Sequence, residues 1–303
     1  MNKILNISID VDNIHHYLRA RNYKPTESTN LNSIYDFAIP RMLDIFDEYG
    51  VKSTFFIVGE DAIKHPLKIK EIVDRGHEIS NHTYNHFQNF LYLEKKEKEF
   101  EILECKKVLE DISGQEVIGF RAPGWNIDKV TMNILHDNGF KYDSSVFPSY
   151  FNPIINFVNI LTNKGKISKS LGVDPKLGFA SKKPYYPKID KIWKKGKQRN
   201  ILEIPPTVVP ILNFPWLGST LYKLGKPTFN LSKYFVDQFR DIVLYQLHAI
   251  ETVDHVEVND NRLSVKPGFN LPIEKKIDLY HHFIKSFKNY NFKTLKEIAF
   301  TIQ

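Results

Sequence analysis

The alternation of strand and helix patterns over the first 150 residues limits what this chain can fold into more than any other feature. Ile4–Ile9 alternates apolar with polar residues and reads as a strand. Tyr35–Tyr49 carries helical periodicity through Ile39, Met42, Leu43, Ile45 and Phe46 and stops at Gly50. Ser53–Val58 is rich in β-formers, Ala62–Asp74 reads as a helix ending near Gly76, and Glu78–Ser80 as a short strand. Leu93–Ile112 is the clearest amphipathic helix, closed by Ser113-Gly114. The strand Val117–Arg121, the helix Asp128–Asp137 and the strand Tyr142–Val146 continue the series. Such an order requires parallel strands joined by crossover helices.

Phe151–Asn230 breaks the rhythm. It is rich in Pro, Lys and aromatic residues, with Asn200–Ile204 as its one clear strand candidate. The rhythm returns with a strand at Asp241–Leu247, a helix at Ile273–Lys288 and a last strand candidate at Phe292–Leu295. No internal repeat is present. The expectation is a single α/β domain over residues 1–303, an irregular (β/α) barrel of about seven parallel strands. One long basic insertion occupies residues 151–230.

The insertion holds the positive charge. Between Phe151 and Asn200 twelve Lys/Arg face only Asp174 and Asp190, which exceeds the +7 of the whole chain. Such a stretch suits a phosphate-bearing substrate or an anionic membrane surface, or is simply a solvated loop. No recognition motif for nucleic acid accompanies it, so nucleic acid is not expected as a partner. The apolar run Ile204–Gly218 contains Phe214, Trp216 and Leu217, which with Trp193 are candidates for interfacial contact. The lone Cys105 excludes an internal disulfide framework, fits a reducing compartment and reads as inert. Met1-Asn2-Lys3 leads straight into the first strand without a signal-like apolar region, so a cytoplasmic protein is expected, peripheral to the inner membrane face at most.

Polar residues recur where strands end, the place where α/β folds bind ligands. Asp10 and Asp12 close the first strand, two apart and therefore on one face. His82 and His86 follow the third strand at a spacing that puts two imidazoles on one helical face or one side of a turn. With a strand-end carboxylate they supply three ligands for a catalytic metal ion. Arg121, locked by Ala122-Pro123-Gly124, ends another strand, Asp143 the next, and His248 closes the apolar strand Leu244–Leu247. His15 and His16 lie close enough after Asp12 to line the same pocket.

In order and spacing these residues resemble the polysaccharide deacetylases, the NodB-homology or carbohydrate esterase 4 family. Its Asp-Asp, H-x-x-x-H, R-x-x-P, Asp and Leu-x-His motifs correspond to Ile9–Asn13, Asn81–His86, Arg121–Pro123, Asp143 and Leu247-His248. The resemblance covers about residues 4–150 and 240–300. The D-x-D spacing of Asp10-Val11-Asp12 departs from the usual adjacent pair and is similar to a branch with some peptidoglycan deacetylases and lipid-linked aminosugar deformylases.

The resemblance implies a metal-dependent hydrolase that removes an acetyl or formyl group from the nitrogen of an amino sugar. It makes Asp12, His82 and His86 the metal ligands, with zinc the default ion and Co2+, Ni2+, Mn2+ or Fe2+ as substitutes. Asp10 is then the general base, Arg121 holds it ionised, His248 protonates the leaving amine, and Asp143 orients His248. A cytoplasmic location points to a sugar on a phosphate-linked lipid carrier or a surface-polysaccharide precursor. Two histidines with one carboxylate also describe a non-heme Fe(II) oxygenase, and a glycan- or lipid-binding protein with a decayed site is a third class.

Overall fold

The computed structural model describes residues 3–151 and 174–302. The first strand, β1 (Ile4–Val11), explains the architecture. Leu5, Ile7, Ile9 and Val11 are fully buried in the main apolar core. The intervening Asn6, Ser8 and Asp10 are buried too, but their side chains bond to Thr54, Arg121 and Gln246 across other strands. The period of two thus splits one strand between an apolar outer layer and a polar barrel interior.

Around β1 run β2 (Thr54–Ile57), β3 (Glu78–Asn81), β4 (Gly119–Phe120), β5 (Tyr142–Asp143) and β6 (Leu202–Glu203), all parallel. A short hairpin, β7 (Val208–Val209) with β8 (Phe214–Pro215), follows, then β9 (Ile242–His248) and β10 (Asn291–Phe292). One edge of β1 pairs along its length with β9, from Ile4↔Ile242 to Asp10↔His248. Its other edge takes β10 at Ile4 and Leu5 and β2 from Ser8 onward. Seven parallel strands therefore follow the order β9-β1-β2-β3-β4-β5-β6, with β10 added beside β1. The sheet curls so far that Thr207, just past β6, meets β9: its N–H donates to the Leu244 carbonyl and its hydroxyl accepts from the Leu244 N–H, each at 2.9 Å. The expected irregular α/β barrel is the fold observed.

The barrel floor is apolar, filled by Phe56, Ile118, Tyr142, Leu202 and Leu244 against the C-terminal helix Leu295–Ile302. Buried Glu78 ties that helix on, accepting from Thr54 Oγ1 at 2.8 Å, Tyr142 OH at 2.7 Å and the Lys296 N–H at 2.9 Å.

Differences from the sequence expectation have local causes. The helix expected over Ala62–Asp74 is two, Gly59–Lys64 and Pro66–Asp74, because Pro66 lacks an N–H and forces His65 out of the helical region. Segment 151–230 is more than an insertion: it supplies β6, the β7–β8 hairpin and most of a helix, Gly218–Phe239. Gly225 at φ 73° and Pro227 interrupt that helix and hid its periodicity. Lys164, Lys166 and Lys169 of the basic stretch lie outside the described residues.

Trp216 and Leu217 are not available for an interface. Trp216 is 2% exposed, its ring stacked on Phe229 at 5.5 Å and edge-on to Tyr245 at 4.9 Å, and Leu217 is buried. Phe214 and Trp193 are only half-buried. No helix among the described residues is long and apolar enough to cross a membrane. Replacing Trp216 with Ala should lower stability by about 3–5 kcal/mol through the cavity left behind, read as a lower urea midpoint. Trp193→Ala should move that midpoint much less.

Candidate active site

The strand ends of β1, β3, β4 and β9 bring six expected residues together. Asp12 Oδ1 lies 3.3 Å from His82 Nε2 and 3.2 Å from His86 Nε2. All three side chains are buried, and these ligand atoms sit within 4.8 Å of one another. The two imidazoles are on a turn rather than a helix, with Thr83 at φ 66° and His86 at φ 51°. Such a backbone costs about 1–3 kcal/mol per strained residue unless the surroundings fix it. Here Asn81 Oδ1 accepts from the Thr83 N–H, Thr83 Oγ1 from the His86 N–H, and buried Glu101 grips Asn85 at 2.8 and 2.6 Å.

The donor set fits a divalent ion. His82 Nδ1 is 2.7 Å from the Arg121 carbonyl, which can only accept, so Nδ1 carries the hydrogen and Nε2 turns its lone pair toward Asp12. Asp12 Oδ1 is buried without a conventional hydrogen-bond donor, an orphaned anionic oxygen between two imidazole nitrogens. The Asp12 carboxyl is held well below its usual range: burial works against ionisation, but His86 and His82 outweigh it.

Asp10 occupies the same face of β1. Its Oδ1 accepts from Arg121 Nη1 at 2.6 Å and its Oδ2 from Gln246 Nε2 at 2.6 Å. Arg121 is fully buried, lies 4.0 Å over the Phe56 ring, and donates also to Ser8 Oγ, Ser144 Oγ and the Ser144 carbonyl. Asp10 Oδ2 also lies 4.0 Å from His82 Nε2 and 3.8 Å from His248 Nε2, so it faces both the cation position and the histidine across the pocket.

Asp143 departs from its expected role. It accepts from Ser145 Oγ at 2.6 Å and from the Ser145 N–H at 3.2 Å, and it sits against buried Glu203. Burial, then the charge of Asp143, push Glu203 well above the usual carboxyl range. The carboxyl facing His248 belongs to Glu251, whose Oε1 is 3.9 Å from His248 Nδ1 and whose Oε2 accepts from the His248 N–H at 3.3 Å.

Sequence reasoning also missed Gln246, Trp125 and Lys266. Gln246 shares the face of β9 with His248, two residues on, a signal that period two offers. Trp125 donates to Gln246 Oε1 at 3.1 Å and stacks on Phe147 at 4.5 Å, forming an apolar wall with Val208 and Leu217. Lys266 Nζ lies 4.1 Å over the Tyr17 ring and is held down to about 8 by burial and Arg21. No pattern in the sequence marks it.

Known proteins similar to this chain include polysaccharide and peptidoglycan deacetylases. Residues 30–142 match the family described as polysaccharide deacetylase. A peptidoglycan deacetylase of Helicobacter pylori is 32% identical over 136 residues, 45% of either chain. The chain thus spans less than half the length of that curated relative. Among solved structures, a putative polysaccharide deacetylase from Mycobacterium smegmatis aligns with 99% of this chain and 90% of its own at a TM-score of 0.62 and 19% identity. One from Pseudomonas aeruginosa aligns with 98% and 89% at 0.60 and 16%. The last two establish the fold alone. Asp10, Asp12 and His248 lie outside the matched stretch, and the pairing of β1 with β2 and β9 carries them to it.

Glu251 gives this site a pH signature. Burial first, then the charge of Asp10, push its carboxyl up to about 8 from an ordinary 4.5, against the pull of the His248 N–H, Lys266 and Lys276. Between those values the folded chain holds a proton that the unfolded chain has lost, so stability falls as pH rises through the window. Glu251→Gln removes that loss. On metal-free protein the melting temperature of the variant, relative to wild type, should be higher at pH 9 than at pH 5; an equal difference at both would place an ionised Glu251 there instead.

Proposed function

We propose that the chain is a metal-dependent N-deacylase that hydrolyses the acetamide of an N-acetylated amino sugar. The observation that carries this reading is the placement of Asp10 Oδ2 within 4.0 Å of both His82 Nε2 and His248 Nε2, with a pair of fixed donors behind it. An ion-binding triad, a braced carboxylate and a histidine surround one small volume, as amide hydrolysis requires.

Asp12, His82 and His86 would hold the ion, which when bound polarises the amide carbonyl and acidifies a water. Asp10 would take a proton from the attacking water as the water oxygen adds to the carbonyl carbon. Arg121 and Gln246 keep the Asp10 carboxylate fixed and leave a lone pair on Oδ2 for the proton. His248, protonated, gives its proton to the sugar nitrogen as the C–N bond breaks, so the products are a free amine and acetate. Burial pushes the His248 ring down, and the negative charges of Asp10 and Asp12 oppose that. Glu251, 3.9 Å from Nδ1 and bonded to the His248 backbone N–H, is the carboxyl placed to assist that ring.

The similarity to a peptidoglycan deacetylase supports a polymeric or oligomeric glycan substrate. Trp125, stacked on Phe147, offers a sugar-facing apolar surface beside Gln246. The lysines of residues 176–199 support a second form of the same substrate, a glycan precursor on a phosphate-linked lipid, and with it removal of formyl as well as acetyl.

The test is acetate or formate release by zinc-reconstituted protein from peptidoglycan fragments, chitooligosaccharide and an N-acylated sugar on a lipid phosphate. Asp10→Asn should cut turnover by about 10²–10⁴-fold while metal content stays stoichiometric. Asp12→Ala should lose the metal as well. Turnover that survives Asp10→Asn within threefold would remove Asp10 from the mechanism, and release insensitive to chelation would overturn the metal-dependent reading.

A further inference from the structure

Behind the first centre stands a second group of ligating atoms. His15 Nε2 is 3.3 Å and His16 Nδ1 3.8 Å from the same oxygen, Oε1 of Glu60. Ligand atoms of the three residues lie within 4.8 Å of one another, as those of Asp12, His82 and His86 do. From these positions we infer that His15, His16 and Glu60 form a second, outer site for a borderline divalent ion such as Zn2+ or Co2+, beside the centre proposed above.

The tautomer of His16 supports a ligand role. Fully buried Asp61 lies 2.7 Å from His16 Nε2, and Arg19 Nη2 lies 2.9 Å from Nδ1. A guanidinium only donates, so Nδ1 accepts and the ring hydrogen is on Nε2, held by Asp61. That is the carboxylate–histidine arrangement that orients metal-binding imidazoles. Asp61 is itself fixed by Asn13 Nδ2 at 3.2 Å. The lone pair of Nδ1 is therefore taken by Arg19, on the side of the ring where Glu60 Oε1 lies 3.8 Å away.

A cation already occupies the position. Arg19 Nη1 is 3.6 Å from Glu60 Oε1 while Nη2 bonds His16, and Lys64 Nζ is 3.6 Å from Glu60 Oε2. Both side chains are more than a third exposed, 39% for Arg19 and 54% for Lys64, so Lys64 can withdraw into solvent, and Arg19 can once it releases the Asn85 and His86 carbonyls to which it also donates. An ion bound here displaces Arg19, and the two compete for the same atoms. A group that served only to brace His86, whose ring is 4.9 Å from that of His16, would have no use for His15. The rings of His15, His16, His86 and His82 succeed one another at 3.9, 4.9 and 4.9 Å, which sets the outer site between the rim and the inner triad.

The experiment is zinc titration by calorimetry on the full chain after chelator stripping, with Co2+ absorption spectra in parallel. Wild type should bind two equivalents. His15→Ala with Glu60→Gln should bind one, Asp12→Ala should keep the outer one, and Arg19→Ala should tighten the outer ion by about tenfold by removing its competitor. A wild-type stoichiometry of one that Arg19→Ala does not raise would overturn the outer site, as would two equivalents persisting in His15→Ala/Glu60→Gln. Two equivalents unaffected by Asp12→Ala would instead defeat the inner triad and leave the outer site standing.

Discussion

The buried guanidinium of Arg121 is the element around which the rest of the site is arranged. A fixed positive charge in a barrel interior is tolerable only if it is paired and hydrogen-bonded. Asp10 pairs it, Ser8 and Ser144 accept three further hydrogen bonds, and Phe56 supplies a ring face beneath it. These partners come from β1, β2 and the segment after β5, so one side chain stitches half the barrel together. Its own carbonyl meanwhile fixes the tautomer of His82. The same residue thus constrains the proposed base, Asp10, and one proposed metal ligand, His82, and moving it would disturb both.

Much of this was legible in the sequence because strand ends and period-two alternation are local properties. Asp10 and Asp12, two apart on β1, had to share a face, and His82, Arg121 and His248 each followed a readable strand. What was not legible depended on contacts between distant segments. Asp143 faces Glu203 because β5 pairs with β6 across a long stretch of chain, and no pattern around Asp143 reveals that neighbour. Glu251 was overlooked although it stands three residues past His248, because the turn that brings it back onto the ring has no distinctive composition. Trp216 looked like an interfacial anchor by residue type, and only the helix hidden behind Gly225 and Pro227 shows that it is core.

Carboxyl groups around the pocket sit in different electrostatic settings. Asp10 pairs with Arg121 at 2.6 Å, and Asp12 Oδ1 lies between the imidazoles of His82 and His86, which hold its carboxyl low. Burial pushes the carboxyls of Glu203 and Glu251 up, with Asp143 adding to the first and Asp10 to the second. One small region thus holds carboxyls of opposite tendency.

The double use of β1 carries a consequence for how such a chain can change. Its odd-numbered residues build the outer core and its even-numbered ones the reactive interior, with no residue left neutral between the two duties. Losing or gaining a single residue within Ile4–Val11 would exchange the two sets beyond the change, turning isoleucines toward the polar interior and Asp10 toward the apolar helix layer. Length variation in this strand is therefore quantised in pairs.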